Sequence, residues 1–206
     1  MGAEAFTLFL WLNERVKKFA WIISRVFDPA IEIPIVLAAA AYYALTNGLR
    51  FRFLIFLLIV DAILPALYML WGIWTKRISD WDMSKREERG GLYFVTVFLH
   101  LFAVVLAFFI GKIVMAKILF ILWSLALVFA VITTLWKISV HAGVNGAMLA
   151  FFCHLYGWQN YWWLSIVLIL VLWSRVEIKK HSILQVGTGS ILAIAWVELG
   201  MRVLGL

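Results

Sequence analysis

Three polar stretches interrupt an otherwise apolar chain of 206 residues: "KRISDWDMSKREERGG" at 76–91, "WKISVHAG" at 136–143 and "SRVEIKKHSILQ" at 174–185. Together they supply Lys85, Arg89, Ser139, His141, Arg175 and His181. These are the parts that phosphoryl transfer without a metal requires. Guanidinium forks grip phosphate oxygens bidentately and stabilise the charge spread over them in the transition state. One neutral imidazole can attack phosphorus while a second, protonated, gives its proton to the departing alkoxide. Metal binding is the competing use of histidine. His100, His141, His154 and His181 form no HExxH pair, no Cys–His set and no group with a close carboxylate triad. Neither a metal nor another cofactor is therefore expected.

The elements that must position these residues are set by composition. The chain is 66% hydrophobic and 14% charged, with a mean hydropathy of +1.01, which excludes a soluble domain. A membrane-crossing helix needs roughly 20 apolar residues, because in lipid each segment must satisfy its own backbone groups. Candidate spans fall at 30–47, 52–74, 91–111, 114–136, 140–157, 159–173 and 182–204. In residues 1–27, Phe9, Leu12, Val16, Phe19, Ile23 and Val26 recur at helical spacing opposite Asn13, Glu14, Lys17 and Lys18, the pattern of a helix lying in the interface. The expected fold is all-α: a polytopic transmembrane bundle of six or seven spans over 28–206, preceded by an amphipathic amino-terminal helix.

Two crossings separate each polar stretch from the next, so all three face one side of the bilayer, with the amino-terminal helix. Every Lys and Arg lies on that side except Arg50, Arg52, Lys112, Lys117 and Arg202. The positive-inside rule makes this side cytoplasmic, in a multi-pass protein of the cell's inner membrane. The formal net charge of +7 sits between apolar stretches, which points to anionic headgroups or a phosphorylated lipid and not to nucleic acid. Cys153 is the only cysteine, so no internal disulfide forms. Gly143, Ala147, Gly187 and Ser190 permit close helix approach, within one chain or in a homo-oligomer.

Other polar residues read as structural. Lys137, Lys179 and Lys180 suit headgroup anchors, and Glu198 with Arg202 a helical pair. His100 and His154 suit satisfied buried histidines. Asp61 is harder to place, because a carboxylate within a span is costly unless paired or neutral and no partner is legible; it is read as structural.

"SRVEIKKHSILQ" resembles the third motif of the type 2 phosphatidic acid phosphatase superfamily, in which Ser-Arg is followed after five residues by His and four positions later by Asp. Ser174, Arg175 and His181 match. "KISVHAG" is similar to the second motif, Pro-Ser-Gly-His, through Ser139 and His141, and the likeness extends over residues 75–200. The resemblance implies His181 as the nucleophile that becomes a phosphohistidine and His141 as the acid that protonates the leaving group. It implies Arg175, Ser139 and Arg89 as phosphate-binding groups. Three departures stand out. Gln185 replaces the aspartate that backs the nucleophile, which predicts slower chemistry. Asp82 stands where the first motif has lysine, so Lys85, four residues before Arg89, is nominated in its place as a residue sharing that helix face. Ile138, Val140 and Gly90 replace two prolines and a glycine.

The expected function is hydrolysis of a lipid phosphate or diphosphate, such as polyprenyl diphosphate or phosphatidate, at headgroup depth. A phosphotransferase using the same site, and a non-catalytic transporter or scaffold binding anionic lipid, are the alternatives.

Overall fold

The computed structural model describes the backbone of residues 3–206 and the side chains of residues 12–206 except Asn47; residues 1–2 and the side chain of Phe9 lie outside the described residues. The described chain is all helical: α1 (Ala3–Val26), α2 (Pro29–Ala44), α3 (Asn47–Leu58), α4 (Leu64–Trp74), α5 (Arg89–Phe109), α6 (Ile113–Leu135), α7 (Val140–Tyr156), α8 (Trp158–Tyr161), α9 (Leu164–Glu177) and α10 (Ile183–Leu204). A π-helical turn, Ile59–Ile63, joins α3 to α4 without a break.

Four helical stretches are long and apolar enough to cross a membrane: Gly48–Trp74, Arg86–Phe109, Ile113–Leu135 and Ile183–Leu204. The other three expected spans are shorter. Helices α2, α7 and α9 have 16, 17 and 14 residues, which at about 1.5 Å per residue falls short of the ~30 Å hydrocarbon layer. The expected segment 159–173 is also divided: α8 ends at Tyr161, and α9 runs from Leu164 past the expected boundary to carry Arg175 in its last turn.

Local chemistry sets the ends that matter. The Asp28 side chain accepts the Ala30 N–H at 3.0 Å and Pro29 opens α2, an N-cap followed by the residue that needs no donor there. Ser139 caps α7 by accepting from the Ala142 N–H at 3.4 Å. Ser182 and Gln185 form a reciprocal capping box at the start of α10. Between α9 and α10 the chain folds back so that the N–H groups of Lys180 and His181 both donate to the Arg175 carbonyl, at 3.1 and 3.2 Å. That reversal needs a left-handed residue, and Lys179 supplies it at φ 58°; a side chain there costs about 1 kcal/mol.

Helices α7 and α10 are tightly apposed. A Cβ on Gly146 would lie 2.8 Å from the Ser190 carbonyl oxygen, and one on Gly189 would lie 2.9 Å from that of Ser139. Of the small residues expected at this seam, Gly143 instead faces the Phe129 ring of α6, and Gly187 has open space beside it. Helix α1 packs inward through Ala20 and Ser24 while Leu12, Val16, Phe19 and Val26 point outward.

Candidate functional site

The three polar stretches meet. Helices α5, α7 and α10 begin, and α4 and α9 end, at the same end of the bundle, so Arg89, His141, Arg175 and His181 line one cavity of about 540 Å³. That volume lies within the range of small-molecule sites. All four residues are buried.

His181 donates from Nδ1 to Gln185 Oε1 at 3.1 Å, and the same oxygen accepts the Ser182 N–H. A carboxamide oxygen is purely an acceptor, so it fixes the proton on Nδ1 and leaves the Nε2 lone pair available. Burial, followed by the positive charges of Arg175, Arg89 and Lys137, lowers the His181 pKa to about 3, against a smaller upward push from Gln185. The ring is neutral across the physiological range, the form required of a nucleophile.

His141 has a different neighbour. Its Nε2 lies 3.4 Å from Asp28 Oδ2, an ion-pair distance across the α2 and α7 N-termini. Burial pushes the Asp28 carboxyl up, but the contact with His141, the Ala30 N–H and the charge of Arg25 outweigh it and hold Asp28 below its usual range. The result is a carboxylate beside an imidazole that is itself buried: burial and the charge of Arg175 disfavour protonation of the ring, and Asp28 works against them. Behind this pair, Asn145 donates to Glu32 Oε2 at 2.6 Å and to the His141 carbonyl at 2.9 Å, tying α2 to α7.

The arginines are held unequally. Arg89 is fixed by the Met83 and Ile138 carbonyls, at 3.0 and 3.1 Å. Arg175 donates from Nη1 to Ser24 Oγ at 2.7 Å and to Asp82 Oδ1 at 3.2 Å, while its buried Nε has no hydrogen-bond partner. Asp82 also pairs with Arg25 at 3.0 Å and with Lys180 at 3.4 Å. Burial works to raise the Asp82 carboxyl, yet these three cations hold it below 3.8. Lys137 is lowered, by burial first and then by Arg89, Lys180 and Arg175; its ammonium donates to the Lys180 carbonyl at 3.1 Å. Cations thus exceed anions at this end of the cavity.

Two expected phosphate ligands stand apart from the cavity. Lys85 is extended before the short 3₁₀ turn Arg86–Glu88 and does not share a helix face with Arg89; its exposed ammonium pairs with Glu88 at 3.5 Å. Ser139 is fully buried and caps α7, which leaves Val140 as the lining residue of that strap. Lys180, read as a headgroup anchor, instead reaches Asp82 and Ser84, at 3.4 and 2.7 Å.

Asp28, Asp82 and Asn145 were not among the expected site residues. Asp28-Pro29 announces a helix start, which gives the cap but not the histidine across from it. Asp82 stands where the resemblance wants a lysine, a signal that its environment is cationic. Among the described residues no group of histidines, cysteines and carboxylates is arranged to hold a metal ion.

No protein-family model, curated protein or solved structure matches this chain.

Proposed function

We propose that this protein is an integral membrane phosphatase that hydrolyses a lipid phosphate or diphosphate through a phosphohistidine on His181, as a divergent relative of the type 2 phosphatidic acid phosphatases. The observation that carries the reading is the convergence of Arg89, His141, Arg175 and His181, from sequence-distant polar stretches, on one cavity whose walls continue into apolar residues. A phosphate among the arginines would leave its lipid tail against those walls.

In the first step His181 Nε2 attacks phosphorus and the bond from phosphorus to the lipid oxygen breaks. His141 gives its proton to the departing alkoxide. In the second step water attacks the phosphohistidine, His141 takes the water proton, and phosphate leaves with His181 restored. Asp28 acts on His141 as a positioning residue, since a carboxylate stabilises the imidazolium that begins the first step and ends the second. Gln185 orients His181 but supplies no charge to the imidazolium-like ring formed on attack. Arg175 exchanges Asp82 for phosphate oxygens as the substrate enters.

The exposed apolar row of α1 supports a helix lying in the headgroup layer. Helices α2, α7 and α9 serve in this reading as short spans beside the four long ones, which makes seven crossings with the site on the cytoplasmic side.

Asp82 favours a second reading: with Arg175 already neutralised, the chain would be a non-catalytic transporter or scaffold holding anionic lipid. One assay separates the two. Purified protein in detergent, given a panel of lipid mono- and diphosphates without added metal, should release inorganic phosphate. Binding without release favours the scaffold, and release that appears only with an added acceptor alcohol identifies a phosphotransferase.

A further inference from the structure

The cavity has a second polar end. Asp61 and His100 both line it, although each sits in the middle of a stretch long and apolar enough to span a membrane. From Arg89 to His100, α5 rises about 16 Å at 1.5 Å per residue, close to half of the ~30 Å hydrocarbon thickness. Between the ends the lining is apolar, including Val36, Leu37, Met69, Leu122, Leu125 and Phe129. The polar pair therefore lies where a lipid tail would run, far from the phosphate.

Its hydrogen bonding is unfinished. Asp61 Oδ1 and His100 Nδ1 are 2.7 Å apart, and His100 Nε2 is 3.0 Å from the Leu119 carbonyl. Both ring nitrogens of His100 thus have an oxygen partner. Asp61 Oδ2 is left buried without a partner. The side chain is 2% exposed, and leaving such an acceptor unsatisfied costs ~1–3 kcal/mol.

The backbone turns Asp61 to this position. Pro65 has no N–H to give the Asp61 carbonyl, so the ordinary helical bond there cannot form. The helix widens over Ile59–Ile63, with the Leu64 N–H donating to the Ile59 carbonyl five residues back. Such π-turns occur often at functional sites.

We infer that Asp61 Oδ2 accepts a hydrogen bond from a hydroxyl or amide N–H in the distal part of the substrate's tail, and so selects lipid phosphates bearing such a donor over plain hydrocarbon ones. The inference rests on the cavity being the lipid site proposed above, but not on catalysis. An orphan oxygen cannot be satisfied by methylene groups. A donor placed one leaflet's depth from the phosphate satisfies it and loses nothing, since lipid around it offers no better acceptor.

The test is a binding series on the full chain in detergent, followed by tryptophan fluorescence. The probes are alkyl monophosphates of one length, unsubstituted or with a single hydroxyl walked from the phosphate end to the methyl end. Affinity should peak for a distal hydroxyl, about tenfold above the unsubstituted probe. Asp61→Leu should flatten the profile. Asp61→Asn should keep the peak, because its amide can donate to His100 Nδ1 and still present a carbonyl oxygen; it also covers a failure of Asp61→Leu to fold. Probes that bind with no dependence on hydroxyl position, or a peak that survives in Asp61→Leu, overturn the inference and leave the phosphatase reading standing. A distal peak in a protein that releases no phosphate does the reverse. Absence of binding by every probe overturns both.

Discussion

The two histidines of the cavity share burial but differ in their charged neighbours. His181 is surrounded by Arg175, Arg89 and Lys137 and touches only a neutral amide, whereas His141 has the Asp28 carboxylate 3.4 Å away. Burial, followed by these cations, keeps the first ring unprotonated, whereas the second is buried too but has an anion that opposes the effect of its burial. An enzyme that needs one base-like nucleophile and one acid gains from pushing two identical side chains apart in this way. In the motif that the third polar stretch resembles, a carboxylate backs the nucleophile. Here the carboxylate stands by His141, the acid of the proposed mechanism, and only an amide backs His181, its proposed nucleophile.

The largest test of that asymmetry removes one side of it. His181→Ala should lower phosphate release by at least ~10³-fold, the scale on which loss of a nucleophile is felt, and should abolish the acid-labile phosphoryl label on the protein. The same variant checks the electrostatics by stability. An unfolded imidazole binds a proton near 6.5 whereas folded His181 does so only near 3. Between these values the unfolded state holds more protons, so stability falls as pH falls. Thermal melts from pH 7 to 4 should show a shallower decline for His181→Ala than for the parent. Asp28→Asn attacks the other side: kcat should drop about 10²-fold, and the alkaline limb of its pH profile should move to lower pH because the His141 proton is held less firmly. An unshifted limb would mean that Asp28 only caps α2.

How much of this was legible follows from where each signal lives. The meeting of the polar stretches could be read because crossing parity is a property of apolar runs, and runs such as Ile113–Leu135 are unambiguous. His181 and Gln185 could be read together because only three residues separate them on the chain, and the capping box turns the Gln185 side chain back toward the residue before the cap. Asp28 could not be connected to His141, since the two are 113 positions apart, as are Glu32 and Asn145 of the same α2–α7 seam, and no local period spans such a gap. Asp61 was unpartnered in sequence for the same reason; its partner, His100, comes from another helix. Lys85 does not share a helix face with Arg89 because the chain at Lys85 is extended before a 3₁₀ turn, which a four-residue spacing alone does not reveal. The expected spans over α2, α7 and α9 fall short of a full crossing in length, and α7 at least, with its buried Ala142, Gly143, Gly146 and Ala147, is sheltered by neighbouring helices.

A finer test concerns the anion already at the site. Asp82 ties Arg175, Arg25 and Lys180 together, and in the proposed mechanism phosphate competes with it for Arg175. Asp82→Asn retains shape and hydrogen-bonding atoms while removing the competing charge. KM for a lipid phosphate should fall severalfold, and kcat should change little. Since the Asp82 carboxyl is held below 3.8, its contribution to stability is present above that value and disappears as pH drops through the lowered folded value. Asp82→Asn should therefore lose stability near neutrality, and the difference from the parent should shrink in acid. A higher KM would show that Asp82 organises the cations for substrate.

The smallest expected effect returns a carboxylate to the nucleophile. In Gln185→Asp the shorter side chain still begins from the first turn of α10, where Gln185 reaches back to His181, and it places a negative charge toward Nδ1. That charge stabilises the imidazolium-like ring as the phosphorus bond forms, so turnover should be retained or rise by a fewfold. It also raises the pH at which His181 takes up a proton, so an acid limb should enter the profile above that of the parent, whose nucleophile stays neutral to about 3. Both histidines would then have carboxylate partners. If the rate instead falls while the acid limb appears as expected, separation of the two rings' charge states matters more to this site than the strength of either one.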